Sequence, residues 1–231
     1  MDYEKYGEVF RKGNVTLINC DCMDLMADAP ENHWQLSIID PPYGIDAANT
    51  FGGNERKSGN GAALKTDFEK KDWDIEIPDA DYFFQLMRVS KNQIIWGANY
   101  MSHFLPPSMG WIVWNKDNGT TKFSDAELAF TSFERALRVW KYTWNGMIQG
   151  DMKNKERRIH PTQKPVKLYD WLLSNYAKPG DRILDTHLGS GSSAIAAHYA
   201  GHDFVGIELD ENYFKAAKKR FDELTKQEAL F

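Results

Sequence analysis

The chain has 231 residues, of which 42% are hydrophobic and 26% are charged, and its formal net charge is −5. This is an ordinary globular composition, ample for a single domain spanning residues 1–231, and its acidic balance argues mildly against a nucleic-acid partner. No apolar run approaches the roughly 20 residues that span a membrane, and the N-terminus has no signal-peptide segment, so we expect a cytoplasmic protein without a membrane partner.

Strand-like apolar runs recur along the chain and alternate with segments that can form helices. This alternation, with central runs of Ile, Leu and Val, predicts an α/β sheet covered on both faces. Cys20 and Cys22 have no second pair and are expected to be free thiols, so no metal site is predicted. The predicted strands are 15–20, 36–40, 92–97, 110–116, 126–133, 182–186 and 203–210, and the predicted helices are 24–29, 80–90, 192–200 and 211–226.

Residues 44–74 fit no element and follow directly on the sequence Asp-Pro-Pro-Tyr at 40–43. The segment contains Gly52, Gly53, Gly59 and Gly61 together with three asparagines. Long segments without regular structure are uncommon inside compact domains and are often lids or binding loops. We therefore predict a mobile loop that orders over a ligand.

A glycine-rich loop joins a strand to a helix near the end of the chain. Gly189 and Gly191 allow the backbone to approach a ligand closely, and the helix that follows offers free N–H groups. Glu208, at the end of the next strand, can accept hydrogen bonds from both hydroxyls of a ribose. Asp185 before the loop suits a cationic ligand better than a pyrophosphate. The pattern favours S-adenosylmethionine over a nicotinamide dinucleotide.

At this point the sequence resembles the β class of amino-methylating DNA methyltransferases, over nearly the whole chain. The matching motifs are DPPY at 40–43, HPTQKP at 160–165, DTHLGSGS at 185–192 and GIELDENYF at 206–214, with the catalytic motif before the cofactor loop. The resemblance implies a Rossmann-like methyltransferase sheet with circularly permuted motif order and a small target-recognition insertion at 117–159. A narrower likeness is to phage-associated adenine methylases. The residues implied to bind the cofactor are Asp21, Cys22, His160, Thr162, Lys164, Pro165, Asp185, His187, Leu188, Gly189, Ser190, Gly191, Ser192 and Glu208.

The resemblance makes residues 40–43 catalytic, and their chemistry fits methylation of an amino group. The lone pair of adenine N6 is delocalised into the ring, so the site needs hydrogen-bond acceptors. The Asp40 carboxylate and the Pro41 carbonyl can each accept one N–H, while Pro41 and Pro42 stiffen the turn. Tyr43 offers a face on which the base can stack, and a base in a duplex must be flipped out to reach it.

The charge is distributed unevenly along the chain. Residues 111–167 contain 11 Lys and Arg against 6 Asp and Glu, whereas the remainder contains 17 against 27. This asymmetry predicts that double-stranded DNA binds the basic part. Trp140, Tyr142 and Trp144 are interpreted as core or sheet-face aromatics. The candidate DNA-binding residues are Lys116, Lys122, Arg135, Arg138, Lys141, Lys153, Lys155, Arg157 and Arg158.

Other functions compete with adenine-N6 methylation. Cytosine-N4 methylation uses the same amino chemistry, although that branch more often has Ser at the position of Asp40. A protein-glutamine methyltransferase typically carries its Pro-Pro-Tyr motif after the glycine loop, so the order here disfavours it. A catalytically idle DNA-binding module is disfavoured by the intact Asp40, Gly189, Gly191 and Glu208. A dinucleotide-dependent oxidoreductase leaves DPPY and HPTQKP unexplained. The family usually has Phe at the position of His187, and a histidine there can become charged below neutral pH. It usually has Thr at the position of Ser192. A homodimer and a partner restriction nuclease remain open.

Overall fold

The computed structural model describes residues 1–47, 71–119, 124–145 and 148–226. Within these residues, one nine-stranded sheet and a small two-stranded sheet are flanked by five α-helices and one short 3₁₀ helix at Ser102–Phe104. The strands are β1 (Glu8–Lys12), β2 (Val15–Asn19), β3 (Trp34–Ile39), β4 (Ser90–Trp96), β5 (Ile112–Asn115), β6 (Ala126–Thr131), β7 (Arg138–Lys141), β8 (Trp144–Asn145), β9 (Ile148–Gln149), β10 (Arg182–Asp185) and β11 (Asp203–Glu208). The helices are α1 (Cys22–Asp28), α2 (Ala80–Val89), α3 (Val166–Tyr176), α4 (Ser192–Ala200) and α5 (Glu211–Leu224).

The large sheet has the strand order β1-β2-β11-β10-β3-β4-β6-β5-β7. The five strands from β2 to β4 are parallel to one another, while β1 and β6 are antiparallel to their neighbours in this group. Strand β3 is almost continuously buried, as a central parallel strand covered on both faces should be. The carboxyl ends of the parallel strands therefore meet at one edge of the sheet.

Two hydrophobic clusters lie on opposite faces of the sheet. One packs α3, α4 and α5 against the sheet through residues such as Leu172, Ile195 and Phe221. The other packs α1 and α2 through residues such as Leu25 and Leu86. The helices cover both faces because parallel strands joined by crossover helices leave neither face exposed.

The α/β fold predicted from the sequence is confirmed, and each predicted strand and helix has a counterpart in the structure. The sequence interpretation missed strands β1, β7, β8 and β9 and helix α3. Helix α3 carries apolar side chains at 168, 169, 172, 173 and 176, a helical spacing that was readable in the sequence. Within residues 117–159, predicted to be a target-recognition insertion, β6 and β7 belong to the main sheet. Their role in target recognition stays a prediction.

Two sequence expectations concern membranes and metals. No helix in the described part of the chain is long and apolar enough to cross a membrane. The same residues include no group of three or more His, Cys, Asp or Glu side chains that could hold a metal ion.

Candidate active site

The candidate site lies where the carboxyl ends of four parallel strands meet. Strand β3 ends just before Asp40, β10 ends at Asp185, β11 ends at Glu208, and β2 ends two residues before Asp21. A cavity of about 1390 Å³ opens at this edge and is lined by Asp40, Glu208 and Asp21. Ligands of open parallel sheets bind at this edge, so the topology itself selects the place.

Asp40 is held by two donors on one of its oxygens. Its Oδ1 atom accepts a hydrogen bond from the Tyr43 hydroxyl at 2.7 Å and one from the Lys164 ammonium at 2.6 Å. Burial raises the pKa of Asp40, and the Lys164 charge opposes that effect. Lys164 was predicted to bind the cofactor, whereas the structure places its ammonium on the carboxylate predicted to be catalytic.

Tyr43 is fixed from both sides. Its ring lies against Gly97, where an added Cβ atom would come within 2.1 Å of the tyrosine Cε1 atom, so only glycine fits. The φ of Gly97 is also positive, at 66°. On the exposed side, the Tyr43 ring stacks on Tyr100 at a centroid distance of 5.3 Å. The ring that was predicted to stack on a base therefore lies at the cavity wall.

A buried carboxylate anchors the turn that follows residues 40–43. Asp74, only 2% exposed, accepts hydrogen bonds from the backbone N–H groups of Tyr43 at 2.6 Å, Gly44 at 3.1 Å and Ala47 at 2.8 Å. Asp74 thereby links the two ends of the predicted loop 44–74 that the structure describes, residues 44–47 and 71–74. Positions 48–70 lie outside the described residues. The prediction that the loop orders on binding rests on those positions and stays a prediction.

Replacing Asp74 by Asn is expected to slow methyl transfer at least about tenfold. The amide cannot accept three N–H bonds as strongly, because bonds to a charged acceptor contribute about 1.5–3 kcal/mol each. The turn carrying Tyr43 then loses its anchor. Single-turnover rates of the variant test this, and Asp28→Asn, which alters an exposed acceptor of hydrogen bonds from Lys5 and Tyr6, is the matched control. Equal rates in wild type and Asp74→Asn would contradict the anchoring role.

The glycine loop is shaped by a left-handed backbone and by Glu208. Gly191 has a φ of 73° and begins α4, while the Gly189 N–H donates to Glu208 Oε2 at 2.8 Å. The second oxygen of Glu208 accepts from the Asp210 N–H at 2.9 Å. Burial raises the pKa of Glu208, opposed by these two backbone bonds. Its remaining lone pairs can still accept ribose hydroxyls.

Most residues predicted to bind the cofactor meet at this cavity, and four lie behind its wall. Asp185 is 1% exposed, with one oxygen accepting from Ser193 Oγ at 2.6 Å and the other from the His187 N–H at 3.0 Å. Pro165 is the cap residue immediately before α3, and Ser192 Oγ donates to the Lys164 carbonyl at 2.8 Å. The predicted residues that line the cavity are Asp21, Cys22, His160, Thr162, Lys164, His187, Leu188, Gly189, Ser190 and Glu208, and the four behind it are Pro165, Asp185, Gly191 and Ser192.

Asp21 has a local role as well as a place in the cavity wall. It was predicted to contact an adenine ring. Its side chain begins helix α1 by accepting from the Met23 N–H at 2.8 Å, which is a standard helix cap. The carboxylate is thereby held at the rim next to Cys22.

Two histidines stay neutral at physiological pH. Burial lowers the pKa of His187 to about 4 and that of His160 to about 3. The sequence suggested that His187 can become charged below neutral pH, and burial moves this charging step well below the pH at which a free imidazole is protonated. His160 packs between Trp73, at 5.0 Å, and Tyr213, at 4.3 Å between ring centroids. Neutral imidazoles suit a pocket for a positively charged ligand.

The residues present fit S-adenosylmethionine. Its ribose needs an acceptor such as the buried Glu208, its purine needs flat side chains, and its sulfonium and ammonium need acidic or uncharged surroundings. The cavity supplies carboxylates at Asp21 and Asp40 and rings at Tyr82 and His187. Its volume also leaves room for a second ligand next to Asp40.

The predicted DNA-binding residues divide by position. Lys155, Arg157 and Arg158 line the mouth of the cavity, and Lys153 is exposed nearby. Arg158 is only partly exposed, and its guanidinium donates to the Pro161 carbonyl. Lys141 lies at the same edge of the sheet and pairs with Asp117 at 3.0 Å. Lys122 lies outside the described residues.

Three of the residues predicted to bind DNA have side chains that do not lie at the mouth of the cavity. Lys116, whose side chain is only 17% exposed, forms an ion pair with Glu127 in the cavity wall, because a charge largely removed from water needs a partner. Arg138 starts β7 opposite Ile112, and Arg135 donates to the Asn175 carbonyl at 2.7 Å near the end of α3. Both lie toward the opposite edge of the sheet, because β7 is parallel to β5, and β5 runs in the same direction as β4 since both are antiparallel to β6. The structure does not bring them to the cavity.

Trp140, Tyr142 and Trp144 are confirmed as packing residues. Trp140 and Tyr142 stack on each other at 5.1 Å and pack against the core, and Trp144 is 8% exposed. Cys20 and Cys22 are free thiols, as expected. Glu127 and Asp74 were missed. A lone acid in the apolar run AELAF was a readable signal for Glu127, because buried acids need a partner.

Residues 92–219, more than half of the chain, match a family model described as DNA methylase. The type II methyltransferase M2.DpnII of Streptococcus pneumoniae is 23% identical over 265 aligned positions, which cover 94% of this chain and 96% of that protein. The putative methylase YubD of Escherichia coli is 25% identical over 88% of each chain.

Solved structures share the fold. The M1.HpyAVI–SAM complex has a TM-score of 0.56 at 19% identity, over 90% of this chain and 99% of that chain. The cytosine-N4-specific PvuII DNA methyltransferase has a TM-score of 0.57 at 12% identity, over 94% of each.

Proposed function

Because this chain belongs to the DNA methylase family, whose methyl donor is S-adenosylmethionine, we propose that it methylates the exocyclic N6 amino group of adenine at specific DNA sites. The observation that carries the proposal is the Asp40 carboxylate, which is held by Lys164 and Tyr43 in a cavity large enough for cofactor and base. When bound, S-adenosylmethionine supplies an electrophilic methyl group.

The chain's own part in the reaction is to prepare the amino group. The Asp40 carboxylate accepts one amino hydrogen and the Pro41 carbonyl accepts the other, which frees the nitrogen lone pair for attack. The negative charge of Asp40 stabilises the positive charge that develops on nitrogen. Tyr43, fixed by Gly97, donates its hydroxyl to Asp40 and so helps to hold the acceptor in place, and positioning of this kind contributes to the rate.

Nucleoside analysis tests the substrate. DNA from cells that lack their own adenine methylation and express the protein is digested to nucleosides and analysed by mass spectrometry. N6-methyladenine with the wild type, and none with Asp40→Ala, is the expected result. N4-methylcytosine in its place would assign the chain to cytosine-N4 chemistry, which the same acceptor geometry also serves. No methylated base would refute the proposed reaction.

The exposed cations at the cavity mouth orient the duplex. Arg157→Ala is expected to weaken DNA binding and to reduce the slope of log affinity against log salt by about 0.9, the loss of one phosphate contact. Titrations at several salt concentrations measure this, with Lys219→Ala on α5 as the matched loss of an exposed charge. If Arg157 instead hydrogen-bonds a guanine edge, the substitution is expected to remove about 1–3 kcal/mol of discrimination between bases at one position of the DNA site. An unchanged affinity and slope would place the DNA surface elsewhere.

Arg158 serves as a second comparison. Because its guanidinium holds the Pro161 carbonyl, Arg158→Ala is expected to disturb residues 160–165 and cofactor affinity more than the salt slope.

The cellular setting is part of the same proposal. Relatives named type II methyltransferases support a role beside a restriction nuclease, and action on DNA supports a cytoplasmic location. Light scattering of the purified protein tests the homodimer.

A further inference from the structure

A row of four charged side chains runs through the cavity wall and ends at Asp40. Lys164 Nζ lies 2.6 Å from Asp40 Oδ1 and 2.9 Å from Glu127 Oε2, and Glu127 Oε1 pairs with Lys116. The side chain of Lys164 is only 4% exposed, and the other three are at most 21% exposed. Two cations and two anions alternate, so the row is neutral.

Fold stability gives little reason for such a row. Taking charges out of water costs several kcal/mol per ion, and a buried ion pair is often no more stabilising than apolar side chains of similar volume. Its members also come from four separate parts of the fold: the end of β3, the end of β5, strand β6 and the approach to α3. Bringing charges together from so many elements at a cavity wall points to a role in the site.

The row engages Asp40 on one oxygen. Both the Lys164 ammonium and the Tyr43 hydroxyl bond to Oδ1. Among the described residues, no hydrogen bond is made to Oδ2. An acceptor of the amino hydrogen needs one free oxygen in a fixed direction, and the two bonds to Oδ1 provide that direction.

We propose that Lys164, itself anchored by Glu127, is a positioning residue that grips Asp40 through Oδ1 and leaves Oδ2 for the amino hydrogen of the flipped base. The inference rests on the proposed function. It assigns to Glu127, which does not bond to Asp40, a role that acts through Lys164.

Lys164 and Glu127 act in opposite directions on the pKa of Asp40. Asp40 faces Lys164, Glu127 and the Tyr43 hydroxyl, and Asp185 and Tyr169 lie farther off. Lys164 favours the ionised carboxylate that accepts a hydrogen. Burial alone would raise the pKa of Glu127, but Lys164 and Lys116 lower it to about 2, so Glu127 stays ionised. The negative charge of Glu127 partly offsets the effect of the Lys164 charge on Asp40. Asp40 therefore stays a strong hydrogen-bond acceptor.

Lys164→Met and Glu127→Gln are therefore expected to shift the pH profile of the methyl-transfer rate in opposite directions. In Lys164→Met, Asp40 loses its cation, and the acidic limb of the single-turnover rate is expected to move up by about one pH unit or more. In Glu127→Gln, two lysines face one carboxylate, and the acidic limb is expected to move down. Lys164→Arg keeps the charge and should return the limb toward that of the wild type. Lys167→Met, which removes an exposed cation three residues away, is the control.

The experiment measures these profiles at saturating S-adenosylmethionine and DNA, together with cofactor affinity by calorimetry. Calorimetry distinguishes a Lys164 that positions Asp40 from a Lys164 that contacts the cofactor directly. If Lys164 positions Asp40, Lys164→Met should weaken cofactor binding by less than about threefold. A tenfold weaker affinity, or equal rate losses at every pH in both variants, would overturn the positioning role. Wild-type methylation is measured first. Its absence would refute the proposed function, whereas a methylating wild type with unshifted variants would refute only this inference.

Discussion

Asp40→Ala is expected to lower the rate of methyl transfer by at least about 100-fold, the scale on which the loss of one preorganised electrostatic contact is felt. The acceptor for the amino hydrogen disappears, and so does the charge that faces the developing cation. Cofactor affinity is expected to change by less than about threefold, because the Glu208 carboxylate and the glycine loop stay in place. Single-turnover kinetics and calorimetry measure the two quantities.

The controls for Asp40 follow from its partners. Alanine leaves Lys164 buried with Glu127 as its remaining charged partner, so the free energy of unfolding must be compared as well. Asp40→Asn keeps the shape without the charge and is also expected to be severely impaired. Asp81→Ala removes an exposed acid on α2 and should leave the rate unchanged. Near-normal turnover in Asp40→Ala would show that residues 40–43 are not the catalytic turn.

Glu208→Ala is expected to raise the dissociation constant for S-adenosylmethionine about 10- to 100-fold. A charged acceptor for the ribose hydroxyls is worth about 1.5–3 kcal/mol, and the Gly189 N–H also loses its partner. The rate at saturating cofactor should fall far less, because Glu208 belongs to the cofactor end of the cavity. Calorimetry and saturation kinetics together separate the two effects.

A graded series sharpens this prediction. Glu208→Gln retains one acceptor oxygen and should fall between wild type and alanine. Asp203→Ala, at the exposed start of the same strand, controls for the loss of an acid from β11. If Glu208→Ala bound the cofactor as tightly as the wild type, the ribose contact would lie elsewhere in the cavity.

Local sequence was enough to locate the ends of this site. A strand followed by an acid and two prolines predicts a rigid turn with acceptors, and a strand, two glycines and a helix predict a ligand loop. Both lie at the same edge because parallel strands share the direction of their carboxyl ends, and in the structure Asp40, Gly189 and Glu208 line one cavity. The α/β class followed from the same alternation.

The partners of Asp40 could not be predicted in this way. Lys164 lies 124 residues from Asp40 along the chain, and the motif that contains it suggested cofactor binding. Glu127 reaches the carboxyl edge only because β6 pairs antiparallel with β4, which turns the start of β6 toward the cavity. Asp74 anchors the turn after residues 40–43 by accepting hydrogen bonds from backbone N–H groups, which every sequence possesses. Local patterns thus determined where each strand ends and which side chains it presents there. Strand pairing alone decided which buried charges meet, since a charge removed from water takes its partner from whatever the fold places beside it.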